Sequence, residues 1–376
     1  MLEVSQNLKM LRQHFVESGF DIRFVGGCVR DFLCGVEPKD IDLCSDATPD
    51  EQIAIYKQYG ISFHETGLQH GTVTVVMDNE VYEITSLRID TNQDGRHAVV
   101  QYTKDWIADL GRRDLTINAM EMTFDGEIVD PFDGKTDLIN RHIRFVGEPS
   151  DRMREDYLRI LRWLRFHGRF AANQPLDAET VEAAVANAKG LQNISRERVW
   201  MEMAKIIAGP GGPNLIDSVY DMGLAGPIDL PMGSVERLAK VHGNTKNPVT
   251  LMVALAGKEV GGITISWKWS TEERDLAEFL FIKSDERQVM SDYKRLIAFD
   301  GHSKDWVVEL CKLNGDMESV TDLIEWHVPV FPMKGQDLID MGFKPGKELG
   351  VMLKNAKIEW MRSDYKMTKE ELMRAF

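Results

Sequence analysis

Two aspartates stand two residues apart in Asp40-Ile41-Asp42, with apolar residues at positions 41 and 43. On a β-strand, residues i and i+2 point to the same face, so both carboxylates would lie side by side while Ile41 and Leu43 enter the core. Two adjacent carboxylates repel each other unless a cation lies between them. Carboxylate oxygens are ligands that suit Mg²⁺. The spacing therefore indicates a metal site, although a solvated strand end also carries this pattern. Glu83 is a candidate third carboxylate or part of the exposed face of its strand.

A glycine turn precedes this pair. Gly26-Gly27-Cys28-Val29-Arg30 follows an apolar run and leads into a helical one. Glycine lets a ligand approach the backbone, and a helix start favours anions, so the turn could hold phosphate. An ordinary tight turn has the same signature. Together with the two aspartates, however, the turn is typical of a site that transfers nucleotides with two metal ions.

A third group with chemical potential is Arg112-Arg113-Asp114, followed by Asn118. An arginine fork binds phosphate, and an aspartate or asparagine can bind a ribose hydroxyl. The alternative is a helix entry that Asp114 caps.

A sheet with packed helices must position these groups. Short β-rich runs cover residues 22–27, 40–45, 71–77 and 81–87, whereas helix follows helix from about residue 149. Glycine and proline clusters at 209–213, 226–227, 247–248 and 261–262 mark turns. We therefore predict a small α+β domain to about residue 130, followed by an elongated all-helical remainder.

Composition restricts the class of protein. With 43% hydrophobic and 28% charged residues, the chain of 376 residues is expected to fold. Its formal net charge is −15, so its average surface would repel a polyanion. Its four cysteines show no paired spacing, and no run approaches the ~18 apolar residues that cross a bilayer. We expect a cytoplasmic protein with no membrane partner and no obligatory protein partner.

Several motifs appear in an order typical of one family. They are GGCVRDFLCG with DID, GLQHGTV, EITSLR, DTNQDGRHAVV, RRDLTINAM, DPFDGKTDL with RHIRFVG, REDYLRILRWLRF and SRERV. With them the chain resembles the class II (bacterial-type) tRNA nucleotidyltransferases, the CCA-adding enzymes, and their poly(A) polymerase relatives. The resemblance implies a polymerase-β-like nucleotidyltransferase head at 1–138, and helical neck, body and tail domains at 139–208, 209–270 and 271–376.

The resemblance also implies roles for single residues. Asp40 and Asp42 would hold Mg²⁺ and, with Glu83, form the catalytic set. The implied nucleotide-binding residues form three groups. The triphosphate group is Gly26, Gly27 and Arg30, and the phosphate and sugar group is Arg113, Asp114 and Asn118. The base-reading group is Asp156, Arg159, Arg162 and Arg165. The base-reading group would follow one face of a helix whose other face is apolar.

Base chemistry explains why Asp156 and Arg159 would select two nucleotides. Cytosine and adenine each present an amine donor beside a ring-nitrogen acceptor, which a carboxylate and a guanidinium complement. Uracil and guanine present the reverse order, and each buried unpaired polar group costs about 1–3 kcal/mol. An ion pair on the surface is the alternative interpretation of these two residues. We therefore expect CTP and ATP as substrates, added without a nucleic-acid template.

The expected activity is the addition of CCA to the 3′ end of tRNA. Residues 141–169 hold eight arginines against four acidic residues, which places RNA binding in one basic cleft despite the acidic average. The alternatives are a poly(A) polymerase, a specialist that adds only A or CC, and a non-catalytic RNA-binding relative. The full segment from Asp90 to His97 disfavours CC-only addition, and the intact carboxylate pair disfavours a mere binder.

Overall fold

A computed structural model of the chain describes residues 4–38, 40–78, 80–91, 99–284 and 288–374. The chain divides into two compact units, residues 1–230 and 231–376. Our division into head, neck, body and tail is finer than these two units and stays a prediction.

The first unit contains a sheet whose strands are short. They are β1 (Ile22–Val25), β2 (Asp42–Ser45), β3 (Ser62–Gly67), β4 (Thr72–Met77), β5 (Glu80–Ser86), β8 (Glu121–Met122) and β9 (Ile128–Val129), with a separate ribbon of β6 (Arg88–Thr91) and β7 (Val99–Tyr102). Their order in the sheet is β3-β4-β5-β2-β1-β8-β9. β2 and β5 pair in parallel, which places Asp42 opposite Glu83.

Five helices accompany the sheet: α1 (Gln6–Glu17), α2 (Gly27–Leu33), α3 (Pro49–Tyr59), α4 (Trp106–Gly111) and α5 (Gly134–Asn140). The start of α3 is a capping box, in which Thr48 and Glu51 satisfy each other's free N–H groups. Phe15 of α1, Tyr56 of α3 and Leu43 of β2 are almost fully buried in one core cluster. This apolar contact fixes β2, and hence the position where Asp42 begins it.

The remainder of the first unit is helical: α6 (Pro149–Glu155), α7 (Leu158–Ala171), α8 (Ala178–Asn187), α9 (Arg196–Ala208) and α10 (Gly212–Asp221). Ile160, Leu161 and Leu164 of α7 are fully buried and form the apolar face expected opposite the base-reading group. Ser195 is the N-cap residue of α9, although its side chain makes no capping hydrogen bond.

The second unit is helical throughout its described residues. Its helices are α11 (Val235–His242), α12 (Pro248–Ala256), α13 (Val260–Ser266), α14 (Thr271–Ser284), α15 (Met290–Ala298), α16 (Lys304–Asn314), α17 (Met317–Glu325), α18 (Gly335–Asp340), α19 (Lys347–Arg362) and α20 (Lys369–Met373). The helical run 248–266 is long and apolar enough to cross a bilayer, which our search of the sequence did not find. Most of this run, 61%, is buried, and the core helix of a globular fold has the same properties.

The α+β head with a helical remainder is confirmed. The four predicted strands exist, but β2 begins at Asp42, so Asp40 lies in a bend before the strand and not on it. The two aspartates therefore owe their proximity to a bend and a strand end.

Candidate active site

Three carboxylates border one cleft of about 650 Å³ on the first unit. Asp40 and Asp42 line it from the start of β2, and Glu83 lines it from the adjacent β5. Partial burial raises the pKa of Asp42; the Arg113 guanidinium opposes this shift, and the charges of Glu83 and Asp40 add to it. The carboxylates thus repel each other where they meet, which a cation in the cleft would relieve.

The glycine turn adjoins these carboxylates. Gly26 has φ 69° and ψ −121°, a backbone conformation that favours glycine, and its N–H donates to the Met120 carbonyl at 2.9 Å. A Cβ on Gly27 would lie 3.9 Å from Asp42 Oδ2 and 3.6 Å from Arg30 Nη2. The space that a side chain on Gly27 would occupy therefore borders the Asp42 carboxylate and the Arg30 guanidinium.

Arg113 packs on the same turn. A Cβ on Gly26 would lie 2.6 Å from Arg113 Nη1, so any larger residue here would displace this guanidinium. Arg113 forms an ion pair with the buried Asp109 at 3.4 Å, and Asp109 also binds Arg112. The motif's two arginines are thus held by one aspartate, which sequence reasoning missed.

Asp114 is buried, at 8% exposure, and both of its oxygens are engaged. Oδ1 accepts hydrogen bonds from the Leu115 N–H and the Asn118 amide, and Oδ2 accepts one from Arg162 Nε at 2.7 Å. Burial by itself would raise the pKa of Asp114, but Arg162 and Asn118 outweigh it and lower the pKa. Asp114 does not cap an α-helix; it connects the arginine motif to α7.

Arg30 extends this connection back to α2. Its guanidinium donates to Asn118 Oδ1 and to Asp31 Oδ1, and Asp31 also binds Arg169 at 3.0 Å. Burial lowers the pKa of Arg30. A continuous polar network therefore runs from α2 through Asn118 and Asp114 to α7.

The base-reading group differs from our prediction in one respect. Asp156 does not lie on a helix: α6 ends at Glu155, Asp156 is extended (φ −153°, ψ 106°), and α7 begins at Leu158. Asp156 Oδ1 accepts the Leu158 N–H at 3.1 Å, which satisfies a free donor at the start of α7. Arg159 lies in the first turn of α7, so the two residues still adjoin.

The arginines of α7 follow one face at a spacing of three residues, as predicted. Arg159 binds Glu155 at 2.6 Å, Arg162 binds Asp114, and Arg165 lies 2.7 Å from the buried Glu202. Phe166 and Phe170 stack at 6.2 Å, and Arg30 lies 5.1 Å from each ring. Sequence reasoning missed these rings, although their spacing of four residues among arginines is a readable signal.

Residues 92–97 of the Asp90–His97 segment lie outside the described residues. Among the residues that the structure describes, no group of three or more histidine, cysteine, aspartate or glutamate side chains could hold a metal ion.

This geometry is that of a nucleotidyltransferase head joined to an arginine-rich helix. The family models that match are the poly A polymerase head domain over residues 22–144 and the probable RNA and SrmB-binding site of polymerase A over residues 175–228.

Named relatives and a solved structure are similar to this chain over most of their length. CCA tRNA nucleotidyltransferase 1, mitochondrial, from Danio rerio is 40% identical over 96% of this chain and 88% of the relative. Its Homo sapiens counterpart is 39% identical over 98% and 89%. The Bacillus stearothermophilus CCA-adding enzyme, solved in complex with CTP, has a TM-score of 0.79 at 26% identity and covers 100% of this chain and 98% of its own. The chain belongs to the tRNA nucleotidyltransferase and poly(A) polymerase family, which confirms the predicted resemblance.

Proposed function

We propose that this protein adds CCA to the 3′ end of tRNA from CTP and ATP, without a nucleic-acid template. The observation that carries the proposal is one polar network, which runs from Arg30 of α2 through Asn118 and Asp114 to Arg162 of α7. It joins the glycine turn beside the carboxylates to the helix that bears Arg159 and begins two residues after Asp156. It would hold a reacting phosphate and a selected base in fixed relation. The relatives named as CCA-adding enzymes support the same activity.

Asp40 and Asp42 would hold Mg²⁺, with Glu83 as a third carboxylate beside them. Asp40 and Asp42 fit this ion because their donor atoms are oxygens, both residues border one cleft, and their charges repel each other without a cation. Bound there, Mg²⁺ would supply Lewis-acid activation of the tRNA 3′-hydroxyl and neutralise triphosphate charge.

Nucleotide phosphates would lie against the glycine turn. Gly27 allows close approach, and Gly26 leaves room for Arg113, whose guanidinium would contribute positive charge. Arg30, Asp114 and Asn118 are buried and already bonded to protein partners, so we assign them to holding the turn and α7 in place. The 3′-oxygen would then form a bond to the α-phosphorus while the bond to pyrophosphate breaks.

Asp156 and Arg159 would read the base. The carboxylate accepts from the exocyclic amine, and the guanidinium donates to the adjacent ring nitrogen, a pattern that cytosine and adenine share. Arg162 and Arg165 lie over the Phe166 ring and beside Asp114 and Glu202, and they would support the base site from the following turns of α7. Because the selecting groups belong to the protein, the same site would serve three successive additions.

The test is incubation with a tRNA that lacks its CCA end, Mg²⁺, and labelled CTP, ATP or both. We expect two additions with CTP alone and three with both nucleotides, resolved by product length on a gel. A long homopolymer from ATP would identify a poly(A) polymerase, a single A or CC a specialist, and no product a non-catalytic relative.

The compartment is a separate proposal. Cys28, Cys44 and Cys311 are buried and Cys34 is exposed, and all four are free thiols. Free cysteines fit a reducing compartment, and we propose the cytoplasm, whereas the vertebrate relatives are named mitochondrial. Imaging of a fluorescent fusion of the full-length protein would distinguish the two compartments.

A further inference from the structure

Asp156 has a partner that belongs to a different helix. Arg198 Nη2 lies 2.6 Å from Asp156 Oδ2, and Arg198 Nη1 lies 3.5 Å from Asp156 Oδ1. Two contacts from one guanidinium fork restrict the carboxylate in both position and orientation. Neither residue is deeply buried, with side-chain exposures of 44% for Arg198 and 26% for Asp156.

The fork itself is held by a rigid element. Arg198 lies in the first turn of α9, and the next two residues, Val199 and Trp200, are 0% and 7% exposed. Their burial anchors this end of α9, so Arg198 reaches Asp156 from a fixed backbone. Asp156 in contrast lies in the extended break between α6 and α7, where its backbone lacks helical support.

The hydrogen bonds of Asp156 leave limited capacity for a ligand. A carboxylate offers about four acceptor positions, and the Leu158 N–H and the two Arg198 contacts use three of them. One acceptor position remains, which matches the one exocyclic amine that cytosine and adenine each present. The neighbouring Arg159 is likewise held by Glu155, at 2.6 Å.

We infer that Arg198 is a positioning residue for base selection: it fixes Asp156 so that one carboxylate acceptor faces the nucleotide base. The inference rests on the proposed function, because it concerns the base site of that reaction. Uracil and guanine carry a carbonyl where cytosine and adenine carry the exocyclic amine, and that carbonyl then meets an acceptor that cannot turn away. Without Arg198, the Leu158 N–H is the one contact left to the Asp156 carboxylate among the described residues, and the carboxylate can rotate away from a uracil or guanine carbonyl.

Removal of Arg198 should therefore weaken discrimination more than it weakens addition. Arg198 is not among the described residues that line the cleft of Asp40, Asp42 and Glu83. We expect Arg198→Ala to lower the ratio of kcat/KM for CTP over UTP about tenfold, which corresponds to about 1.4 kcal/mol. The loss in kcat/KM for CTP alone should be smaller than this factor.

The experiment measures single additions of CTP and UTP to a tRNA that lacks its CCA end. Arg198→Ala is compared with Arg198→Lys, which keeps the charge but not the fork, and with Arg196→Ala. Arg196 is a matched control because it lies on the same helix and pairs with Asp229 at 2.9 Å instead of Asp156. We expect partial rescue by lysine and an unchanged CTP-to-UTP ratio for the control.

Three outcomes overturn the inference: an unchanged ratio in Arg198→Ala, an equal loss for both nucleotides, or the same change in Arg196→Ala. If Arg198→Ala does not fold, Arg198→Lys decides alone, and a wild-type ratio in that variant contradicts the need for a fork. A wild-type protein that adds no nucleotide would instead refute the proposed function.

Discussion

Replacement of Asp114 by Asn should destabilise the first unit, because it breaks the ion pair between the arginine motif and α7. Removal of one partner from a buried charge pair costs about 3–5 kcal/mol. The Arg162 side chain is 34% exposed, so solvent screens the charge left behind and the expected cost falls to about 2 kcal/mol. For a unit of this size, that cost lowers Tm by about 4–8 °C.

The contribution of Asp114 to stability should depend on pH. The folded state lowers the pKa of Asp114, so the ionised carboxylate stabilises the fold above its unfolded pKa, and this contribution is lost as the pH falls through the folded pKa. The Tm difference between wild type and Asp114→Asn should therefore be full at pH 7 and shrink below about pH 4.

Thermal unfolding followed by tryptophan fluorescence measures both effects, since the buried Trp163 lies on α7 beside Arg162. Asp125→Asn is the matched control, because its pair with Arg12 is exposed and should change Tm little. One kcal/mol shifts Tm by about 2–4 °C, so a loss below about 1 °C at pH 7 would show that the Asp114–Arg162 pair contributes little to stability. A Tm difference that persists at low pH would show that the ionised carboxylate is not its source.

Three further predictions follow from contacts and charge. Gly26→Ala should reduce nucleotide binding, measured by KM for CTP, because its Cβ would displace Arg113. Gly190→Ala should lower Tm, because its Cβ would lie 2.1 Å from the Tyr157 ring, whereas Gly226→Ala, with nothing within 4 Å, should leave Tm nearly unchanged. Affinity for tRNA should fall as salt rises from 50 to 200 mM, in a filter-binding titration. A wild-type KM in Gly26→Ala, a wild-type Tm in Gly190→Ala, or salt-independent tRNA binding would contradict the corresponding prediction.

The elements around the carboxylates could be predicted because their sequence patterns are strong. β4 and β5 alternate apolar and polar residues, and the apolar stripe of α7 follows helical periodicity. β3 escaped prediction since Ser62–Gly67 is mostly exposed and polar, and β8 and β9 are only two residues long. Such strands owe their existence to neighbours in the sheet, which periodicity does not report.

The members of the site could be named from sequence, but not their partners. Asp40, Asp42 and Glu83 were predicted, and the structure gathers them at one cleft. Arg198 and Glu202 lie about 40 residues beyond the residues they contact, on a helix whose packing determines the contact. The break at Asp156 was missed because residues 149–171 have helical composition throughout, and the extended conformation of one residue leaves no periodic signal.

In the proposed function, the carboxylates at the start of β2 perform CCA addition. The most direct measurement compares wild type and Asp42→Ala in addition to a tRNA lacking CCA, with Tm measured on the same samples. We predict three additions by wild type, none by Asp42→Ala, and a Tm of the variant that is not lowered, because the raised pKa of Asp42 shows that its charge is unfavourable in the folded state. Three additions by a folded Asp42→Ala protein would show that the Asp42 carboxylate is not needed for CCA addition.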